Sequence, residues 1–192
     1  MTPHSFFALA ELVPWLVLLG YWLLMWHKSK PTVAGHPDPW SHFNRVLLVA
    51  SMLLLGWHRL SIGWLGYVLI PRCLTKALTG LAVTCAGAAY AIWARRTLAD
   101  NWSAQPALKE DHTLILSGPY QITRHPIYTG ILIAVLGTAI MVGQVRGMIA
   151  LMLVFIAFWH KSRYEEDLMN RQFPDQYPAY AQKVKKLIPW IF

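Results

Sequence analysis

Acidic residues are scarce in this chain: Asp and Glu together number nine in 192 residues, against 17 Lys and Arg. Charged residues of both signs make up only 14%, while apolar residues make up 56% and Trp alone numbers ten. That balance excludes an ordinary water-facing domain and points to lipid as the solvent. Cysteine is nearly missing. Cys73 and Cys85 have neither the number nor the setting of a disulfide framework, so both read as packing residues that say nothing of redox compartment. No basic stretch leading to a small-residue cleavage site stands near Met1, and the first apolar run is therefore expected to remain as a span. Internal repeats and low-complexity linkers are lacking as well. His36 and His42 flank a Pro-rich loop with no second ligand pair at metal spacing, which predicts solvated loop histidines and no metal.

What the chain does hold is a series of apolar runs: residues 5–26 with only Glu11 inside, 46–70 interrupted near Arg59, 77–94, 127–143 and 147–159. A helix needs about 20 residues to cross the hydrocarbon, so the first and third suffice alone, and the last two need amphipathic flanks. The expected fold is an all-α integral membrane protein, a single membrane domain over residues 1–192 with about five transmembrane helices. In the second run Trp57, His58 and Arg59 introduce a bend, leaving residues 62–70 as an interfacial helix or as a continuation. With the N-terminus outside, 13 of the 17 Lys and Arg fall on the inner side, and only Arg59, Arg72, Lys76 and Arg146 fall outside. This positive-inside bias explains the net charge of +8 without nucleic acid. It puts the polar loop 95–125 and the tail after His160 together on the cytoplasmic face.

The loop between the third and fourth runs reads NWSAQPALKEDHTLILSGPYQITRHP. Asn101 opens a glycosylation sequon, accidental on a cytoplasmic side. Lys109, Glu110, Asp111 and His112 suit a solvated turn before the apolar residues 113–116. Ser117, Gly118 and Pro119 then make a tight turn; Gly118 tolerates positive φ and close backbone approach, so this is either a contact for a small ligand or a plain connection. Pro126 lacks an N–H and is predicted at the first turn of the fourth span. Arg124 and His125 thereby come to the positive end of a helix, where two basic groups repel the dipole unless an anion binds. Lipid phosphate is one such anion, and Tyr120 and Tyr128 also suit an interfacial position.

The tail carries the opposite sign. In HKSRYEEDLMNRQF, Arg163, Glu165, Glu166 and Asp167 stand just past the fifth run, and adjacent acids beside an anionic leaflet imply a cationic partner. The alternative is pairing of Glu165 or Glu166 with Arg163, Asn170 or Arg171 along one exposed helix. Farther on, Tyr177, Tyr180, Ala181, Val184, Leu187 and Ile188 gather near one helical face, with Lys183, Lys185 and Lys186 on the remainder. That pattern predicts an interfacial helix closing over the loop.

The order NWS, H-x-L, G-P-Y, R-H-P-x-Y-x-G, R-x-E-E-x-L and a Tyr-rich stretch, over residues 101–188, closely resembles the isoprenylcysteine carboxyl methyltransferases and their prokaryotic relatives. The earlier spans match in hydropathy alone. The resemblance implies an integral-membrane methyltransferase that uses S-adenosyl-L-methionine without a Rossmann domain, in keeping with the lack of a Gly-rich strand-turn-helix. It implies residues 1–94 as N-terminal transmembrane helices and 95–192 as a catalytic half, whose cytoplasmic loop, helical hairpin and C-terminal helix form the cofactor site. By the same resemblance Thr113, Leu114, Ile115 and Leu116 line the adenosine through backbone contacts, beside Gly118. Tyr120 and His125 hold the cofactor's polar end, and Pro126 and Tyr128 shape its pocket. Glu165 and Glu166 match the family's acidic pair and Arg163 its nearby Arg. Arg124 and His125 opposite Glu165 and Glu166 would then grip the carboxylate and ammonium of the cofactor from two sides.

The Gln that eukaryotic members place downstream of their N-x-N loop is missing, with Ala107 near that position, so the acceptor is open. The carboxylate of a prenylcysteine-like substrate is favoured; a phospholipid amine or a thiol would need a proton removed, for which Glu165 or Glu166 could serve. Sterol reductases share a related R-H-P-x-Y signature, which keeps a nicotinamide-dependent reductase as a second reading, although a phosphorylated dinucleotide calls for more cations than Arg124, His125 and Arg163. A non-enzymatic carrier or scaffold is the third. The expected partners are a lipophilic or prenylated substrate and membrane lipids.

Overall fold

Proline and glycine set the ends of the central hairpin. Pro126 opens helix α4 (Pro126–Val142), where its missing N–H costs nothing, and Gly143 closes it in a left-handed conformation with φ 63°. Helix α5 (Val145–Gln172) starts directly afterwards, so the two run antiparallel. Helices α1 (Pro3–Met25), α2 (Ser41–Gly56) and α3 (Leu74–Leu98) precede them, and a short α6 (Tyr177–Lys183) follows. The computed structural model describes residues 3–25, 32–35, 38–99, 107–109 and 114–189. Thr113 and most of the polar loop containing Asn101 lie outside the described residues.

The α3–α4 pair is built on small residues. A β-carbon at Gly87 would lie 2.3 Å from the Ala134 nitrogen, and one at Gly137 would lie 2.4 Å from the Thr84 nitrogen. The backbones meet almost directly, with Ala91, Ala134 and Thr84 fully buried. Close approach of this kind associates helices where lipid removes the hydrophobic drive between them. Around that pair, Leu18, Ala88 and Ala91 pack with Trp15 and Trp22 of α1, and Val135, Val154 and Phe158 pack with Leu48 and Leu55 of α2.

Long apolar side chains turn outward, with Leu24 74%, Met52 69% and Met152 65% exposed. This is the surface of a bundle whose solvent is hydrocarbon. By length and composition α3 and α5 can each cross a bilayer, and α1, α2 and α4 contribute shorter apolar stretches. Consecutive long helices alternate in direction: the ends of α1 and α3 meet through Arg95 at the same side as the start of α4.

Buried cations cap helix ends that lack partners. Arg95, 2% exposed, donates to Ala99 O at 2.7 Å and Met25 O at 3.2 Å, joining the C-termini of α3 and α1. At the other side Arg146 donates to the carbonyls of Leu54 and Leu55 in the last turn of α2. Lys76 donates to Ile70 O at 3.2 Å. Arg95 and Arg146 thus satisfy carbonyls that helix C-termini leave open, at the pole where the dipole favours positive charge, whereas Lys76, in the first turn of α3, is held by a carbonyl of the preceding non-helical segment.

Several expectations are corrected. Helix α2 ends at Gly56, at the bend signalled by Trp57, but residues 62–70 form neither an interfacial α-helix nor a continuation. Leu69 and Ile70 donate their N–H groups to Gly143 O at 2.9 and 3.1 Å, which ties them to the α4–α5 turn in place of a helical ladder. The all-α expectation lacks one short antiparallel ribbon, β1 (Thr32–Gly35) with β2 (Ala107–Lys109), joining the α1–α2 and α3–α4 connections. The C-terminal helix stops at Lys183, because the carbonyls of Lys185 and Lys186 are claimed by the segment entering α4.

The contact at Gly87 generates a prediction. Gly87→Ala is expected to lower the thermal unfolding midpoint in detergent, a cost of about 1–3 kcal/mol from overpacking. Gly20→Ala, with nothing within 4 Å of the added carbon, is expected to be neutral or stabilising. Equal midpoints for the two variants would contradict the close α3–α4 approach.

Candidate active site

The site is assembled where the start of α4, the last turns of α5 and the tail converge. Gly118, with φ +60°, begins a 3-10 turn that buries Pro119 and Tyr120. Tyr180 of α6 donates its hydroxyl to Tyr120 O at 2.6 Å. Arg124 N–H and His125 N–H donate to Lys185 O and Lys186 O at 2.8 and 3.1 Å, so the tail lies beside the loop as a strand-like partner. Thr129, one turn into α4, donates its hydroxyl to Leu187 O at 2.7 Å. The tail is thus bonded to the backbone that places Arg124 and His125.

The anion at the foot of α4 is a residue of the protein itself. Glu166 Oε1 accepts from Arg124 Nε at 2.7 Å and lies 3.2 Å from His125 Nε2, while Oε2 lies 2.7 Å from Lys186 Nζ. Glu165 Oε1 accepts from the Tyr128 hydroxyl at 2.6 Å, and Oε2 lies 3.4 Å from His125 Nδ1. The imidazole of His125 therefore stands between two carboxylates, one at each ring nitrogen, as an imidazolium donating to both would. Arg124 also donates through Nη1 to Ala181 O and Val184 O, at 2.8 and 2.5 Å, which closes the C-terminus of α6. The basic and acidic pairs are thus in direct contact and do not face each other across an open gap.

Aromatic rings form one wall. His125 stacks on Tyr128 at 5.5 Å and 3°, and Tyr128 stacks on Phe158 at 4.6 Å and 15°. Lys161 Nζ lies 5.6 Å from the Tyr128 ring centre and Lys186 Nζ lies 4.8 Å from that of Trp159. Beside this wall Trp40 and Phe43 enclose the His160 ring at 5.3 and 5.7 Å.

Of the residues singled out in the sequence, Arg124, His125, Tyr128, Glu165 and Glu166 meet in this cluster, and Tyr120 and Pro126 are buried behind it. Leu114, Ile115 and Leu116 are non-helical and partly open, next to Gly118. Arg163 is not brought in: it is exposed, and residues two apart on a helix point to different sides, so it turns away from Glu165. Pairing of the glutamates along their own helix does not occur either, since their partners come from α4 and the tail. Lys161 and Lys186 were missed. Lys161 stands four residues before Glu165, a spacing visible in the sequence, whereas Lys186 reads as one more surface lysine until the tail folds back.

Glu165 and Glu166 lie past the apolar stretch of α5, and the charges around them set their protonation. Burial pushes the Glu166 carboxyl up, but hydrogen bonds from His125, Arg124 and Lys186, with the charge of His125, outweigh it and hold the group at about 2. Glu165 is likewise lowered against burial, by His125, Lys161 and Tyr128. Burial alone would lower His125; the two carboxylates reverse this and raise it above 6.5. A raised His125 contributes stability that is complete below about 6.5 and is lost as pH climbs through its folded-state value. A depressed Glu166 contributes stability that is present above about 4.5 and is lost as pH falls towards 2. Nuclear magnetic resonance of the labelled imidazole in detergent is expected to give a His125 midpoint above 6.5, moved downward in Glu166→Gln; a midpoint at or below 6.5 in the parent would contradict the two-carboxylate arrangement.

A profile described as phospholipid methyltransferase matches residues 75–176, from α3 to just past the end of α5, and so includes every cluster residue except Lys186. Protein-S-isoprenylcysteine O-methyltransferase B of Arabidopsis thaliana is 38% identical over 84 residues, 43% of this chain and 43% of that protein. Protein-S-isoprenylcysteine O-methyltransferase of Mus musculus is 28% identical over 178 residues, 88% of this chain and 63% of that protein. The chain thus spans less than half the length of the plant relative and under two thirds of the mouse one. A solved structure of the eukaryotic intramembrane Ras methyltransferase ICMT aligns over 83% of this chain and 55% of its own, with a TM-score of 0.51 and 24% identity, a likeness of fold. With more than half of its length matched by the profile, the chain belongs to the phospholipid methyltransferase family.

Proposed function

We propose that the chain transfers a methyl group from S-adenosylmethionine to a lipophilic acceptor at the membrane, and that the accepting atom is a carboxylate oxygen of a prenylcysteine-like group. The observation that carries this reading is the chemistry of the buried cluster, which has charge in abundance and in which, among the described residues, Glu165, Glu166 and both nitrogens of His125 are already in contact with opposite charge or a hydrogen-bond donor. Glu166 is held at about 2, and a carboxylate so far below neutrality removes protons poorly. Both nitrogens of His125 face carboxylates. An acceptor that is already an anion needs no proton removed, whereas an amine or thiol does. The printed names of the plant and mouse relatives, isoprenylcysteine O-methyltransferases, agree with that acceptor class.

The residues present fit the cofactor in kind. Glu165 is the more open glutamate, with its side chain 24% exposed against 13% for Glu166, and it offers a carboxylate for an ammonium group. The open backbone of residues 114–116, beside the positive φ of Gly118, suits close main-chain contact with a nucleoside, and Tyr128, already stacked with His125 and Phe158, shapes the adjoining wall. Tyr120, Arg124, His125 and Pro126 hold this wall in place, Thr113 completes the same loop in this reading, and Glu166 anchors the cations. Arg163, turned outward, is left to meet acceptor or lipid. When bound, S-adenosylmethionine supplies an electrophilic methyl on a sulfonium. The chain's own part is to orient the two reactants and to exclude water, which weakens solvation of opposite charges before they combine. In this reading residues 1–94 are scaffold, residues 95–192 bind and react, five helices cross the bilayer, and the cluster faces the cytoplasm, where positive-inside bias puts its lysines.

Calorimetry on the purified protein is expected to show binding of S-adenosylhomocysteine, weakened roughly 10-fold or more in Glu165→Gln through loss of a charged contact. At saturating cofactor, methyl release into a lipophilic carboxylate is expected to show no pH dependence assignable to a carboxylate base. Binding of reduced nicotinamide dinucleotide with no binding of S-adenosylhomocysteine would overturn the reading in favour of a reductase. A loss of turnover of about 100-fold or more at unchanged affinity in either glutamate variant would replace the carboxylate acceptor by an amine or thiol.

A further inference from the structure

Lys161 acts on Glu165 through its charge but makes no direct bond to it. It stands one turn before Glu165 on α5, the spacing at which lysine and glutamate ordinarily pair, yet no ion pair or hydrogen bond of Lys161 occurs among the described residues. The reason lies in the partners already taken. Glu165 receives Tyr128 at 2.6 Å and His125 at 3.4 Å, and Glu166 receives Arg124, His125 and Lys186. Asp38, just before α2, accepts the Trp40 N–H at 2.9 Å and lies 3.5 Å from the Asn44 amide, and Asp167, next to Glu166, is exposed. Among the described residues of the cluster, Arg124, Lys161 and Lys186 therefore stand against two glutamates, and a protonated His125 widens the excess. The ammonium of Lys161 rests 5.6 Å from the Tyr128 ring centre, which fixes it beside the same ring that bonds Glu165.

We infer that Lys161 receives the carboxylate of the methyl acceptor and so selects an anionic acceptor over a cationic headgroup. This rests on the proposed methyl transfer and deepens it. An acceptor bearing an ammonium would add positive charge to a half-buried site that already has too much, whereas a carboxylate supplies the counter-charge that the glutamates cannot. Tyr128 then serves both sides of the reaction, with its hydroxyl on Glu165 and its ring under Lys161. A lysine that merely met lipid phosphate would sit anywhere on the inner rim; this one sits over the ring at the centre of the cluster.

The test compares N-acetyl-S-farnesylcysteine with its carboxamide, two probes differing only in the charge of the accepting group, by calorimetry on the parent, Lys161→Met and Lys161→Arg. S-adenosylhomocysteine binding is measured in parallel. The parent is expected to prefer the carboxylate by on the order of 10- to 100-fold, as a charged hydrogen bond allows. Lys161→Met is expected to lose that preference while retaining most of its S-adenosylhomocysteine affinity, since Tyr128 and His125 still hold Glu165, and Lys161→Arg to keep most of the preference. The inference is overturned if Lys161→Met discriminates as well as the parent, if the parent shows no preference, or if Lys161→Met loses S-adenosylhomocysteine together with the acceptor, which is what a purely structural role gives. Failure of methyl transfer is distinguishable: a parent that prefers the carboxylate through Lys161 but releases no labelled methyl into it sinks the proposed reaction and leaves the binding assignment standing.

Discussion

Glu166 holds three parts of the chain together. Its two oxygens receive Arg124 and His125 from the entry to α4 and Lys186 from the tail, so one carboxylate on α5 fixes the foot of α4 and the closing segment at once. All of these side chains are largely buried, with 12% exposure at Arg124, 13% at Glu166 and 11% at Lys186. A buried pair of this kind adds little over a well-packed apolar substitute, but removal of one partner strands the others and costs about 3–5 kcal/mol. The arrangement is better understood as specification than as added stability. It sets where His125 stands, and through His125 and Tyr128 it sets where Glu165 stands.

The same economy governs the rest of the bundle. Few acids are available, and buried cations are satisfied by backbone carbonyls instead, at helix C-termini for Arg95 and Arg146 and in the segment before α3 for Lys76. Among the described residues, the cluster between the start of α4 and the end of α5 is where cations meet acids, and there the acids are outnumbered. In a soluble enzyme, water and mobile surface carboxylates would absorb the difference. At the edge of a hydrocarbon layer they do so far less, and the surplus is what the proposed anionic acceptor would meet.

Local chemistry was legible in the sequence and long-range pairing was not. Pro126 and the glycine after residue 142 mark the ends of α4 because their backbone preferences act within one turn. The bend near Trp57 was visible for a similar reason, but the fate of residues 62–70 was not, since it is decided by Gly143 O, more than 70 positions away. Residues 184–188 have helical spacing and still leave the helix, because Arg124 and His125 claim their carbonyls. The small-residue seam between α3 and α4 escaped notice because both runs are apolar on every side, and nothing in such a run marks the face turned to a neighbour. Motif order identified Arg124, His125, Tyr128, Glu165 and Glu166 as belonging together; it could not say that they bond to one another, nor that Lys161 and Lys186 join them.

Whether this cluster is the reaction centre is decided most directly by an experimental structure of the protein with S-adenosylhomocysteine in detergent or nanodisc. The account predicts the ligand between residues 114–118 and the Tyr128 ring, its ammonium within hydrogen-bond distance of Glu165, and the Arg124–Glu166–Lys186 bonds unbroken. A ligand seated elsewhere on the bundle, or one that draws Glu166 away from Arg124 and Lys186 to make its own contact, would contradict it.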